Sequence, residues 1–155
     1  MQTFSRLFTL FLLLGGISAS GVTIDTAYTR FYEEGEIRPI GQYFGGKLSR
    51  QGYRSVIASQ AEDPAGQYFI IRLKEWKSAS VAEARMTLFA TDSKEPSQRS
   101  WQLSGKKLDD WLYLGLTGTD WPSEGVRPLA WRVELLDAEG NILADWKSFL
   151  WEMPE

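Results

Sequence analysis

Histidine and cysteine are both absent from the 155 residues. That removes the Ser-His-Asp and Cys-His nucleophile pairs, and every metal site built on imidazole or thiolate. Chemistry would have to come from carboxylates, lysine, tyrosine or backbone. Three patterns invite a closer look. Gly41-Gln42-Tyr43-Phe44-Gly45-Gly46-Lys47 fits seven positions of a phosphate-binding loop, but Leu48 stands where a Ser or Thr would hold magnesium. Pro39 precedes it and Gly52 follows, so the strand-loop-helix context is missing, and the segment reads as a glycine loop with Tyr43 and Phe44 at its centre. Ser104-Gly105-Lys106-Lys107 matches a bare Ser-x-x-Lys without the further elements of a penicillin-binding site, and reads as a turn carrying two solvated lysines.

Carboxylates are plentiful near chain breaks: Glu33, Glu34, Glu36, Glu62, Asp63, Asp109, Asp110, Asp120 and Glu124. A glycosidase needs two of them facing each other across a cleft, and nothing in linear sequence selects a pair. Asp137 to Asn141 lacks the alternating ligands and distal Glu of an EF-hand loop. No cofactor and no metal ligand set are predicted.

The tryptophans are the remaining constellation. Trp101, Trp111, Trp121 and Trp131 are spaced ten residues apart, and Trp146 and Trp151 follow. Ten residues is about one strand plus one turn, a spacing that can set indoles on neighbouring strands. They would either pack a core or form a platform for a sugar or protein partner. Trp131 alternates with Val133 and Leu135 and is expected in the core. Trp111 opposes the face of Leu112, Leu114 and Leu116, which looks the more buried. Trp121, in a polar loop beside Pro122, and Trp76, bracketed by Lys74-Glu75 and Lys77-Ser78, are the tryptophans expected to remain partly exposed. The candidate binding residues are therefore Trp121, Trp76, Tyr43 and Phe44.

The elements that must position these residues read as strands. Val22–Tyr32, Tyr53–Ala58 and Gln67–Leu73 are apolar runs closed by turn-forming clusters. The third has Phe69, Ile71 and Leu73 on one face and Tyr68 and Ile70 on the other, which predicts a strand covered on both sides. Arg85–Thr91 and Arg99–Leu103 flank the hairpin-like break Asp92–Ser97. Ser80-Val81-Ala82-Glu83 matches a capping box, so a short helix is an option there. Trp111–Leu116 is a further strand, followed by the loop Thr117–Pro128. Finally Trp131–Leu135 alternates with period two, Asp137–Asn141 is a turn with Gly140 at its left-handed position, and Ile142–Trp151 returns as the partner strand. Eight or nine strands with no helical period predict an all-β, antiparallel β-sandwich. A small closed β-barrel is the alternative.

The span Pro128 to Leu150, with Trp131, Val133, Leu135, Asp137, Gly140, Leu143 and Ala144 at its key positions, resembles the closing hairpin of immunoglobulin-like accessory domains in exported bacterial proteins. The likeness covers about 24 residues. It implies an immunoglobulin-like sandwich that binds or braces rather than catalyses.

The N-terminus predicts where the chain acts. Arg6, the apolar run Leu7–Leu14 and the small residues Ser18-Ala19-Ser20 have the form of a signal peptide over 1–20, cut ahead of Gly21. An uncleaved anchor is the alternative, although the run is shorter than the roughly 20 residues of a membrane-spanning helix. The expectation is a secreted or periplasmic single domain, 21–155, without stable membrane insertion after cleavage. No cysteine stands at the junction to take a lipid. Loss of Arg6 takes the net charge from −3 to −4, which argues against nucleic acid as a partner. The functional expectation is a non-enzymatic binding or accessory module working through protein contacts. A carbohydrate-binding module and a carboxylate-dependent hydrolase are the alternatives, so the partner is an unidentified protein or polysaccharide.

Overall fold

A computed structural model describes residues 21–37 and 54–152. The signal-like segment 1–20 and the glycine loop with Tyr43 and Phe44 lie outside those residues, as does Tyr53.

Among the described residues eight strands follow one another: β1 (Thr23–Tyr32), β2 (Arg54–Ala58), β3 (Gly66–Lys74), β4 (Glu83–Ala90), β5 (Ser97–Gln102), β6 (Trp111–Thr117), β7 (Pro128–Leu136) and β8 (Ile142–Lys147). They form two four-stranded sheets, ordered β1-β3-β6-β2 and β5-β4-β7-β8. The sheets face each other as a sandwich and do not close into a barrel. All pairings are antiparallel except β2 with β6, which run parallel. Such a pair cannot be joined by a tight hairpin, and here more than fifty residues separate the two strands.

Period-two alternation builds the core between the sheets. Phe69, Ile71 and Leu73 of β3 and Leu112, Leu114 and Leu116 of β6 meet Ala84, Met86 and Leu88 of β4 and Val133 and Leu135 of β7. Two indoles stitch the layers. Trp131 meets Phe69 edge to face at 5.3 Å between centroids. Trp101 of β5 donates its indole N–H to the Gly115 carbonyl of β6 at 3.2 Å. On β3 the outward Tyr68 and Ile70 are also fully buried, packed with Ile37, Tyr32, Trp111 and Tyr113. The strand is covered on both sides, as its unbroken apolar run predicts.

Two local expectations are corrected. Ser80–Glu83 forms no helix. Ala82 N–H donates to the Leu136 carbonyl at 2.8 Å, and Glu83 already pairs with Leu136 and Gln102 as the first residue of β4. Sheet hydrogen bonds override the capping-box pattern. The last strand also ends at Lys147 rather than Trp151. Ser148 makes reciprocal bonds to Trp131, and Phe149–Glu152 winds into a 3-10 turn.

The β7–β8 turn matches expectation. Gly140 sits at φ 86, where a side chain would be strained. The Asp137 carboxylate accepts from the backbone N–H of Glu139 at 3.0 Å and of Asn141 at 2.8 Å. The Asn141 side-chain amide, followed by these backbone donors, holds the Asp137 carboxyl below its ordinary range. No helix among the described residues is long and apolar enough to cross a membrane.

Candidate functional site

The two outer sheet faces differ in kind. On the β5-β4-β7-β8 sheet the outward row is charged. Arg132 pairs with Glu134 at 2.9 Å and with Asp145 at 3.1 Å, and Arg85 faces Glu83 at 3.4 Å. Such exposed pairs contribute little to stability, and at one end of the same sheet Phe89 meets Trp151 at 6.0 Å beside exposed Phe149 and Leu150.

The outer face of β1-β3-β6-β2 is aromatic. Register sets Tyr28 of β1 against Ile70 of β3, Ile70 against Tyr113 of β6, and Tyr113 against Val56 of β2. One row over, Arg72 of β3 faces Trp111 of β6. Its guanidinium carbon lies 5.7 Å from the indole centroid, within cation-π range. Tyr28 meets Trp111 edge to face, with centroids 6.2 Å apart and planes at 72°. Arg30 stacks over Tyr32 at 4.5 Å and pairs with Glu36 at 3.1 Å. Tyr28 is 46 % and Val56 41 % exposed, and Trp111 and Tyr113 are half-buried.

This strip rests on a fixed foundation. Tyr68 lies beneath Tyr32, with ring centroids 5.5 Å apart. Its hydroxyl donates to the Pro64 carbonyl at 2.8 Å, four residues upstream. Gly115 makes room for the ring, since a Cβ there would stand 2.5 Å from Tyr68 Cε1. Burial pushes the Tyr68 phenol up to about 12. Tyr28 is also raised, first by burial and then by Tyr113, against the opposing pull of Arg30.

At the Arg72 end the strip turns onto the end of the sandwich. Asp25 takes Lys74 and Arg72 together, the latter at 3.5 Å. The Lys74 hydrogen bond, more than any other influence, holds the Asp25 carboxyl below its usual range. Arg72, Lys74, Asp110 and Trp76 then line a shallow cavity of about 560 Å³. Trp76 opens the 3-10 turn Trp76–Ser78, after Glu75 in the left-handed region at φ 56. Its indole N–H donates to the Asp110 carboxylate at 3.0 Å. Trp76 is half-buried with its polar edge tied down, the partial exposure expected of it.

Trp121 is a correction. It is 6 % exposed and belongs to the core. The loop around it supplies few apolar neighbours, but Leu88 and Ala90 of β4 and Leu116 of β6 come from elsewhere to wall the same cavity. Among the described residues its buried indole N–H has no hydrogen-bond partner. Trp101 and Trp131 are likewise buried, and Trp111 faces outward. The ten-residue spacing does not carry one face through, because 101 and 131 sit on one sheet, 111 on the other and 121 in a loop. The residues that sequence reasoning missed are Tyr28, Tyr113, Arg30 and Arg72. Their signal was alternation opposite buried positions, visible only once strand order is known.

Among the described residues no acidic side chain is buried, and no group of three or more His, Cys, Asp or Glu is placed to hold a metal. Comparison with protein-family models, curated proteins and solved structures finds no match.

Proposed function

We propose that this chain is an exported, non-enzymatic binding module that holds a protein partner against the aromatic face of its β1-β3-β6-β2 sheet. One observation carries the reading. Half-exposed Tyr28, Trp111 and Tyr113 share a face with Arg30 and Arg72 stacked on aromatic rings. Tyrosine, tryptophan and arginine are the residues that dominate protein-interface energetics. The opposite outer face carries ion pairs along β4, β7 and β8 and, among the described residues, one aromatic contact, Phe89 with Trp151, without arginine stacked on it.

Two observations favour protein over polysaccharide. A sugar platform needs coplanar exposed rings, whereas Tyr28 and Trp111 meet at 72°. Trp101, Trp121 and Trp131 are also spent on the core. A carboxylate hydrolase would need a facing pair in a cleft, and the described carboxylates lie at the surface.

The strand order supports an immunoglobulin-like reading. Setting β2 aside, the first, second and fifth strands share one sheet, and the seventh, sixth, third and fourth share the other. This is the division of seven-stranded immunoglobulin-like sandwiches in which the fourth strand sides with the third. The Tyr68 hydroxyl bonded back to Pro64 resembles a tyrosine corner, although it sits on β3.

A photo-crosslinking residue at Tyr28 tests the proposal, with Thr87 on the opposite outer face as control. The reading expects protein adducts from Tyr28 in the cell envelope and none from Thr87. Equal adducts from both, or none from Tyr28, would overturn it.

A further inference from the structure

The far side of Trp76 walls a second cavity, of about 430 Å³, at the same end of the sandwich. Its floor is apolar: Val81, Leu103 and Leu108 are all buried there. Its charged lining is of one sign, Lys77, Lys106 and Lys107, and no acidic residue lines it. The three lysines are exposed and form no ion pair among the described residues. Asp137, beside the lining residue Ala138, turns its carboxylate into its own hairpin. In a chain of net charge −3, this pocket is lined by cations alone, with Asp110 behind the Trp76 wall and Glu75 in the adjoining cavity that Lys77 also borders. Charges within one cavity stand about a Debye length apart or less, so they act together on a ligand.

The walls are set in advance. Asp110 fixes the Trp76 edge at 3.0 Å. The loop carrying the lysines closes through Lys106 N–H to the Leu103 carbonyl at 3.0 Å, with Gly105 at φ 73. It is held again where the Ser55 hydroxyl donates to the Lys107 carbonyl at 3.0 Å. A preformed wall lowers the ordering cost of binding.

We propose that this groove binds an acidic peptide segment of a protein partner. Carboxylates of the segment meet Lys77, Lys106 and Lys107, and an apolar side chain settles between the Trp76 ring and the Val81–Leu103–Leu108 floor. The choice of a protein segment rests on the proposed function; the anionic preference rests on the lysines alone. An apolar floor beneath cations suits a peptide that alternates acidic and apolar residues better than a uniformly hydroxylated sugar.

The probe is a synthetic eight-residue peptide alternating Glu and Leu, titrated into the protein lacking residues 1–20, with the indole N–H resonance of Trp76 as readout. A Lys/Leu peptide and an oligogalacturonate form the other arms. We expect the Glu/Leu peptide alone to shift Trp76. Its affinity should fall about tenfold in the Lys77→Gln/Lys106→Gln/Lys107→Gln variant, the sum of three exposed pairs, and should weaken steadily with added salt. The substituted lysines are exposed, so the variant's unchanged melting temperature confirms that it folds. No shift in the wild type, or equal affinity in the variant, overturns the proposal. So does oligogalacturonate shifting Trp76 where the peptide does not, which would assign the groove to an acidic sugar. Peptide binding here without crosslinks from Tyr28 would defeat the sheet-face reading and leave the groove standing.

Discussion

Replacing Trp121 with alanine separates its role in the fold from any role at the surface. The side chain is 6 % exposed, so about 200 Å² of ring leaves water on folding. At about 25 cal/mol per Å² that is about 5 kcal/mol, an upper bound that a compact unfolded chain lowers to about 3–4. Tryptophan-to-alanine changes in cores cost about 3–5 kcal/mol, which agrees. Against this, the buried indole N–H has no partner among the described residues, and removing it relieves about 1–3 kcal/mol of desolvation. The net loss is about 1–2 kcal/mol, or about 5 °C in melting temperature for a domain of this size. Trp76→Ala removes a half-buried ring and an exposed bond to Asp110, and should cost about 1 kcal/mol. Trp121→Phe keeps most of the packing and loses only the orphan donor, so it should melt within about 4 °C of the wild type. Thermal and urea unfolding followed by circular dichroism measure all three. A Trp121→Ala protein melting within 2 °C of the wild type, to within about the error of such scans, or Trp76→Ala proving the more costly, would refute the assignment of Trp121 to the core.

The other predictions concern the foundation of the aromatic strip and the processing of the chain. Gly115→Ala places a methyl 2.5 Å from Tyr68 Cε1 and 2.8 Å from Cζ; calorimetry should show a loss of about 1–3 kcal/mol from overpacking. Tyr68 ionises near 12 in the fold against about 10 when unfolded. Its contribution is therefore intact below pH 10 and is lost as pH rises from 10 toward 12, by about 2–3 kcal/mol at most. In Tyr68→Phe that part of the alkaline decline should vanish from urea midpoints measured across this range. The Asp137 carboxyl is held low, so its contribution is present above its ordinary value of 3.8 and fades as pH falls; Asp137→Ala should melt lower at pH 7 and lose less on acidification. N-terminal sequencing of the protein recovered from cells should begin at Gly21, and a start at Met1 would favour an uncleaved anchor.

Some of this was legible in the residues because the forces involved are local. β3 announced itself by an unbroken apolar run, and its two faces are both buried. The β7–β8 hairpin followed from period two and a turn whose Gly140 takes positive φ. The break from Asp92 sits between β4 and β5 as its turn residues require, though Ser97 already pairs with Leu88 as the first residue of β5. What escaped depends on distant partners. Trp121 looked exposed because its loop is polar, but its cover comes from β4 and β6. The Ser80–Glu83 pattern favours a helix only until Leu136 and Gln102 supply sheet partners. The aromatic strip joins residues 28, 72, 111 and 113, which become neighbours only through the order β1-β3-β6. No local signal reports that order, nor the parallel pairing of β2 with β6 that places Val56 beside Tyr113.

Crosslinking from Tyr28 in intact cells distinguishes a β1-β3-β6-β2 face that holds a partner from one that is merely solvated. A contact surface there gives a discrete adduct with one protein from Tyr28, its loss when Trp111→Ala and Tyr113→Ala are combined with the probe, and no adduct from Thr87. Adducts from Thr87 as strong as those from Tyr28, or adducts from Tyr28 that survive the loss of both neighbouring rings, would contradict it.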